Sequence, residues 1–188
     1  MKAFLFGVML TLFALIAGGY FLLKSGRVSF SADQQPSAVE EHVAMSAVDA
    51  STERNAPEMK NPLQASEANL VSGADLYMNH CAGCHGVPEN PENQFGRSFN
   101  PQVPAFFKEA PDMPENQNFY IIQHGIRWSG MPAWKNTLNE TQTWQLVTFM
   151  SNVQKLPPAA LKELELTPTA AGDTTPATVP APSAMHMK

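Results

Sequence analysis

The sequence has few cysteines, few charges and no basic cluster. Two cysteines among 188 residues exclude a small domain held together by several disulfides. Charged residues make up only 15% of the chain, against about 25% in an average soluble domain. The net charge of -5, without a Lys/Arg cluster, argues against a nucleic-acid-binding protein. The sequence also shows no strand pattern and no internal repeat.

One long apolar run lies near the N-terminus. Residues 4–23 carry no charge, and about 20 apolar residues are the length that a helix needs to cross a bilayer. We expect a single transmembrane signal-anchor helix there, with the rest of the chain delivered across the membrane. A cleaved signal peptide, processed near Ala17-Gly18-Gly19, stays open as the alternative, although the run exceeds the roughly 7–15 residues of a signal core.

Two polar segments flank the central part of the chain. Residues 25–65 are broken by Pro36, Pro57 and Pro62 and show no sustained period, so we interpret them as a flexible linker. A chain of about 40 such residues has an r.m.s. reach of about 35 Å. Residues 167–188, rich in Pro, Ala and Thr, are expected to be a disordered tail. The tail ends in Met185-His186-Met187, ligand types that suit copper, which is a weak signal for metal capture.

Residues 66–166 hold the only pattern able to build a core, and the pattern is helical. Apolar spacing and capping residues predict helices over 66–80, 116–124, 137–153 and 159–166. Six prolines between Pro88 and Pro114 predict a loop. The expected fold class is therefore all-α. A core of this size with so many prolines is marginal, so a large apolar group is expected at its centre.

The segment Cys81-Ala82-Gly83-Cys84-His85 matches C-x-x-C-H, the attachment signature of c-type haem. Two thiols three positions apart can each form a thioether to one porphyrin, and the next imidazole then serves as an axial ligand. A redox dithiol, half of a zinc site and a plain disulfide are the alternatives. The first lacks its usual strand-helix context and the second lacks another cysteine pair, so we predict one covalent haem c, with His85 on the iron.

A second axial ligand remains to be assigned. Met131 is the first candidate, because a thioether on a proline-stiffened loop before the last helix can reach the far face of the iron. Met113, which also precedes a proline, is the nearest rival. His80 and His124 are rivals of another kind, since a second imidazole would lower the reduction potential. The ordinary alternative for Met131 is a methionine that fills a gap in the core.

These motifs resemble a small bacterial class I cytochrome c domain. The resemblance rests on Tyr77 with residues 81–86, on residues 120–126 and 129–134, and on residues 144–149 running to Pro157. It covers about half of the chain and implies an all-α domain around a covalent haem, which we place at residues 66–166. The first domain helix is then expected to pack on the last one, with Ala74 and Tyr77 near Trp144 or Phe149.

The resemblance is incomplete after the haem motif, where many relatives have a glycine-rich stretch. Residues 87–94 are rich in Pro and Asn instead. Pro101 and Pro104 are therefore both candidates for the carbonyl that accepts the Nδ1 proton of His85. Seven aromatic residues suit a porphyrin wall, although core packing is the simpler explanation for each one alone: Phe95, Phe99, Phe106, Phe107, Phe119, Trp128 and Trp134.

Two axial ligands from the chain leave no iron position open to a small-molecule substrate. We therefore expect an electron-transfer protein and not an enzyme. The predicted function is a membrane-tethered carrier of single electrons between respiratory-chain or dehydrogenase partners. We place its haem domain on the periplasmic side of a bacterial cytoplasmic membrane, where haem is attached to exported chains. A fixed subunit of a larger dehydrogenase or oxidase complex, and a haem sensor in which Met131 is displaced, are the alternatives.

Overall fold

The computed structural model describes residues 1–166, which form helices and no β-strand. The α-helices of this part of the chain are, in order, α1 Lys2–Lys24, α2 Ala38–Asn55, α3 Glu67–His80, α4 Ala82–His85, α5 Glu115–His124, α6 Glu140–Ser151 and α7 Pro158–Leu166. A short 3-10 turn lies at Gly96–Ser98. The all-α prediction is confirmed. The tail predicted at 167–188, with Met185-His186-Met187, lies outside the described residues.

Helix α1 has the length and composition of a membrane span. It contains 23 residues with a mean hydropathy of 2.1, and none of them is buried against the rest of the chain. Lys24 lies in its last turn. The helix includes all of residues 4–23, the run expected to cross the bilayer.

Side-chain caps determine where the domain helices begin. The Ser66 hydroxyl accepts a hydrogen bond from the Asn69 backbone N–H at 3.3 Å, which starts α3. Asn139 and Gln142 form a reciprocal capping box at the start of α6, with distances of 2.9 and 3.0 Å. Caps of these residue types can be read from a sequence. The predicted helix starts accordingly lie within a few residues of the observed ones.

The core lies where α3 packs on α6. A Cβ atom at Gly73 would lie 2.5 Å from the Gln145 carbonyl oxygen and 2.6 Å from the Phe149 Cβ, so the two helices approach this closely only because residue 73 is glycine. The rings of Tyr77 and Phe149 have centroids 5.1 Å apart. This contact confirms the expected packing of the first domain helix, α3, on the helix that carries Trp144 and Phe149, which is α6. Helix α7 also packs on α3.

Helix α2 contradicts the expectation that residues 25–65 lack regular structure. That expectation relied on the absence of an apolar stripe, and α2 indeed has none. The Ser37 hydroxyl instead caps the helix by accepting from the Glu40 backbone N–H at 3.2 Å, and the Ala-rich sequence that follows favours a helix by intrinsic propensity. The interpretation as a structureless linker is therefore wrong for residues 38–55.

Part of the linker is also attached to the helical domain. Thr52, near the end of α2, is buried, and α2 packs on α5. Amide groups of three asparagines link residues 34–61 to the domain: Asn100 Nδ2 to Gln34 O at 2.8 Å, Asn116 Nδ2 to Pro57 O at 3.0 Å and Asn61 Nδ2 to Thr148 Oγ1 at 2.9 Å. Only residues 25–33 separate α1 from the first of these contacts, so the free tether is much shorter than 40 residues.

Candidate functional site

Both cysteines and His85 lie together where α3 ends. Cys81 connects α3 to the single turn of α4, which carries Cys84 and His85. Both cysteines are free thiols, so the alternative of a plain disulfide is not observed. Burial, with a smaller contribution from Cys84, raises the pKa of the Cys81 thiol to about 12. This thiol is therefore uncharged at neutral pH.

The His85 ring is held in one tautomer. Its Nδ1 lies 2.9 Å from the Pro104 carbonyl oxygen. Because a carbonyl oxygen only accepts hydrogen bonds, Nδ1 carries the hydrogen and Nε2 keeps a free lone pair. Burial lowers the pKa of His85, against the opposing effect of this hydrogen bond, so the ring is neutral at pH 7. A neutral imidazole with a free Nε2 is the form that binds a metal.

The carbonyl that accepts the Nδ1 hydrogen of His85 is therefore that of Pro104 and not that of Pro101. The ring of Phe106, two residues after Pro104, stacks on the His85 ring with centroids 4.4 Å apart and an angle of 10° between the planes. The loop at residues 104–106 therefore fixes both the tautomer and the plane of the imidazole.

Tyr77 holds the backbone directly after His85, a role that the sequence analysis missed. Its hydroxyl donates a hydrogen bond of 2.8 Å to the Gly86 carbonyl oxygen, and both residues are buried. Burial raises the pKa of Tyr77 above its ordinary value, so the phenol stays a donor. Gly86 has a φ of 80°, and a Cβ there would lie 2.5 Å from the Pro91 carbonyl oxygen. This turn therefore requires glycine.

Asn93 attaches the Pro- and Asn-rich loop to α4. Its Nδ2 donates to the carbonyl oxygens of Ala82 and Gly83 at 3.3 and 3.0 Å, and its Oδ1 accepts from the Gly96 N–H at 2.6 Å. The backbone at Gly96 packs directly on the Cys84 carbonyl, which leaves no room for a Cβ atom. This role was not predicted from the sequence, although an Asn three residues before a glycine is a known turn signal.

Met131 lies in a loop that turns back on the end of α5. Gly125, with a φ of 67°, follows α5, and a Cβ there would lie 2.7 Å from the Met131 carbonyl oxygen. That oxygen accepts from the Ile126 N–H at 3.1 Å. The Met131 side chain is half-buried and packs against the core. The ring of Trp134 lies 5.0 Å from that of His80, so this loop lies beside the end of α3 that carries the cysteines.

The three rival axial ligands, Met113, His124 and His80, lie in different environments. Met113 precedes α5, where its carbonyl oxygen accepts from the Asn118 amide at 2.9 Å, and it is not among the residues packed against the core. His124 is exposed, with its ring 4.5 Å from that of Tyr120. The His80 ring lies 5.0 Å from that of Trp134.

The seven aromatic residues expected to line a porphyrin do not share one environment. Phe106 and Trp134 contact the histidines, Phe107 packs at 5.6 Å from Tyr77, and Phe119 stacks on Trp144 at 4.2 Å. Phe95 and Trp128 are largely exposed.

A comparison with known families decides the nature of the domain. The family model described as cytochrome c oxidase, cbb3-type, subunit III matches residues 68–150, which run from α3 almost to the end of α6. These residues form a cytochrome c domain. No curated protein matches the chain. The cytochrome c family transfers electrons and carries covalently bound haem c, so the cytochrome c domain is an electron-transfer component.

The chemistry of the residues present fits such a haem. Two free thiols, Cys81 and Cys84, lie three positions apart at the single turn of α4. His85 follows the second thiol directly and is a neutral imidazole with its Nε2 lone pair available. Among residues 1–166, no three His, Cys, Asp or Glu side chains group closely enough to hold a metal ion by themselves. The alternative of a zinc site therefore gains no support from the described part of the chain.

Proposed function

We propose that the protein is a membrane-tethered c-type cytochrome with one haem, which carries single electrons between redox proteins at the membrane. Cys81 and Cys84 would attach the haem through thioethers, and His85 and Met131 would bind its iron. When bound, the haem supplies one-electron oxidation and reduction at its iron. The observation that carries the proposal is the His85 ring, neutral and fixed by Pro104 with Nε2 free, one residue after a free cysteine.

The chain's own side chains favour electron transfer over chemistry on a bound molecule. If His85 and Met131 both bind the iron, no position there would be open to a substrate. Met131 is supported in this role by its half-buried position on the core and by the glycine turn that holds its loop. A thioether ligand favours the reduced state and so raises the potential. Electrons would then pass through the edge of the domain to a docked redox protein.

Helix α1 is proposed to be retained as the membrane anchor. Its length and hydropathy suit a single span, and Lys24 in its last turn suits the membrane surface. We propose that the cytochrome c domain lies on the periplasmic side of a bacterial cytoplasmic membrane, because thioether assembly takes place on exported chains with reduced thiols. A cleaved α1 would instead release the domain from the membrane.

A fixed subunit of a larger oxidase or dehydrogenase complex is the second candidate. Two observations favour it. The family model that matches bears the name of an oxidase subunit. Contacts at Gln34, Pro57 and Asn61 hold much of the linker against the domain, so its free length is short. A mobile carrier purifies from detergent-extracted membranes at the size of one chain plus detergent. Co-purification of other subunits in fixed ratio would support the complex instead.

Optical spectra of two methionine variants test the axial ligation. The oxidised wild-type protein is expected to show the far-red band of methionine-ligated haem. Met131→Ala should abolish this band while leaving the haem attached through both cysteines. Met113→Ala is the matched control, because it removes the other methionine that precedes a proline, and should keep the band. A wild-type protein without the band, or loss of the band in the control, contradicts the assignment, and a missing wild-type band favours the sensor alternative.

A further inference from the structure

The segment of residues 56–63, which follows α2, joins two helices of the domain, and we call it the strap. The Pro57 carbonyl oxygen accepts a hydrogen bond of 3.0 Å from Asn116 Nδ2, in the first turn of α5. Asn61 Nδ2 donates to Thr148 Oγ1, within α6, at 2.9 Å. The strap therefore connects the start of α5 to α6.

The strap contacts reach into the buried part of the domain. Thr148 is 2% exposed, and its hydroxyl donates to the Trp144 carbonyl oxygen at 2.8 Å while it accepts from Asn61. Leu63 packs against the core, and its N–H donates to Asn61 Oδ1 at 2.9 Å. Thr52, shortly before the strap, is 3% exposed, and α2 packs on α5. Because release of the strap would leave a buried hydroxyl without its donor, the strap is a fixed part of the domain.

Helix α5 depends on support of this kind. It has 10 residues, and Pro114 at its start provides no side-chain cap. Helices shorter than about 12–15 residues are marginal in water by themselves, so contacts with other elements must hold α5. In its middle, Phe119 stacks on Trp144 at 4.2 Å. In its last turn, Gln123 Nε2 donates to Thr143 Oγ1 at 2.6 Å. The strap supplies the corresponding contact at its first turn.

The end of α5 carries the loop that contains Met131. The Trp134 N–H donates to the Ile122 carbonyl oxygen at 3.0 Å. The Lys135 N–H donates to the Gln123 carbonyl oxygen at 3.1 Å. These two oxygens belong to the last turn of α5, where carbonyl groups have no partner inside the helix. The position of the Met131 loop therefore follows the position of α5.

We propose that the strap positions Met131 as an iron ligand by holding α5 on α6. Asn61 and Asn116 are positioning residues, because each acts through α5 and not by contact with the haem. Release of the strap frees the start of α5 from α6, and the loop at the other end of the helix loses a fixed support. The thioether then gives up its position more readily to an added ligand. The inference rests on the proposed ligation by Met131.

Imidazole binding to the oxidised full-chain holoprotein in detergent tests the inference. Imidazole competes with methionine for the iron, so loss of the far-red band reports its dissociation constant. The double variant Asn61→Ala/Asn116→Ala should bind imidazole about 5- to 25-fold more tightly, since one hydrogen bond changes an equilibrium constant about fivefold. Asn55→Ala is the matched control. The Asn55 amide bonds within α2, to the Ser51 carbonyl oxygen at 2.7 Å, so this variant should bind imidazole as the wild type does.

A second control separates positioning from a general loss of stability. Leu164→Val leaves a small cavity where α7 packs on α3, so it should lower the Tm without changing the affinity for imidazole. An unchanged affinity in the double variant, or an equal gain in Leu164→Val, overturns the inference. Asn116→Ala alone should bind about fivefold more tightly and decides the question if the double variant yields no holoprotein.

The wild-type spectrum distinguishes failure of this inference from failure of the proposed function. A wild type without the far-red band overturns the ligation by Met131 and, with it, the role of the strap. A wild type that shows the band, with variants that bind imidazole no more tightly, overturns the role of the strap alone.

Discussion

Removal of one hydroxyl group tests how the protein positions the residues around His85. Tyr77→Phe keeps the ring contacts with Phe107 and Phe149, at 5.6 and 5.1 Å, and removes only the hydrogen bond of 2.8 Å to the Gly86 carbonyl oxygen. Tyr77 is 0% exposed, so water cannot replace the lost donor. A buried carbonyl left without a partner costs about 1–3 kcal/mol. One kcal/mol lowers the Tm of a domain of about 100 residues by about 4–8 °C.

Tyr77→Phe should therefore lower the Tm by about 5–20 °C. The measurement is thermal unfolding of the full-chain holoprotein in detergent, followed by far-UV circular dichroism. Tyr120→Phe is the matched control, since within residues 1–166 the half-buried Tyr120 makes a ring contact with His124 but no hydroxyl hydrogen bond. It should change the Tm little. Equal effects of the two substitutions, or an unchanged Tm in Tyr77→Phe, would refute the reasoning.

Two further substitutions test the helix contacts in the same assay. Gly73→Ala forces α3 and α6 apart at Gln145 and should destabilise the fold by about 1–3 kcal/mol. This loss exceeds the gain in helix propensity, which is about 0.5–1 kcal/mol. Ser72→Ala is the control, and a raised Tm for Gly73→Ala would contradict this packing. Asn139→Ala removes the capping box of α6 and should cost about 1 kcal/mol. Asn136→Ala, in the exposed loop before it, should cost much less, and equal losses would count against the cap.

The sequence was sufficient for the starts of two helices and for the haem attachment motif, which depend on neighbouring residues. Ser66 and Asn139 are local caps, so the starts of α3 and α6 could be predicted. The thiols and imidazole at Cys81, Cys84 and His85 are adjacent in the chain, and their common turn follows from their spacing. Helix α2 was missed because its stability comes from the Ser37 cap and from helix propensity, whereas the prediction searched for an apolar stripe.

The remaining features depend on contacts between distant segments. The Pro104 carbonyl is 19 residues from His85, and nothing in the local sequence distinguishes it from that of Pro101. Likewise, the sequence shows that Tyr77 is aromatic but not that its hydroxyl reaches Gly86. The exposed position of Trp128 depends on a left-handed turn. Such a turn is usually signalled by a glycine. The sequence has Trp at this position instead, so the turn could not be predicted from it.

Mass spectrometry of the mature protein determines whether one haem is covalently attached to the cytochrome c domain. We expect the intact chain to carry the added mass of one haem. Fragmentation should place this mass on the peptide that contains Cys81, Cys84 and His85. A mature chain of unmodified mass, or an added mass elsewhere in the sequence, would contradict covalent attachment at this motif.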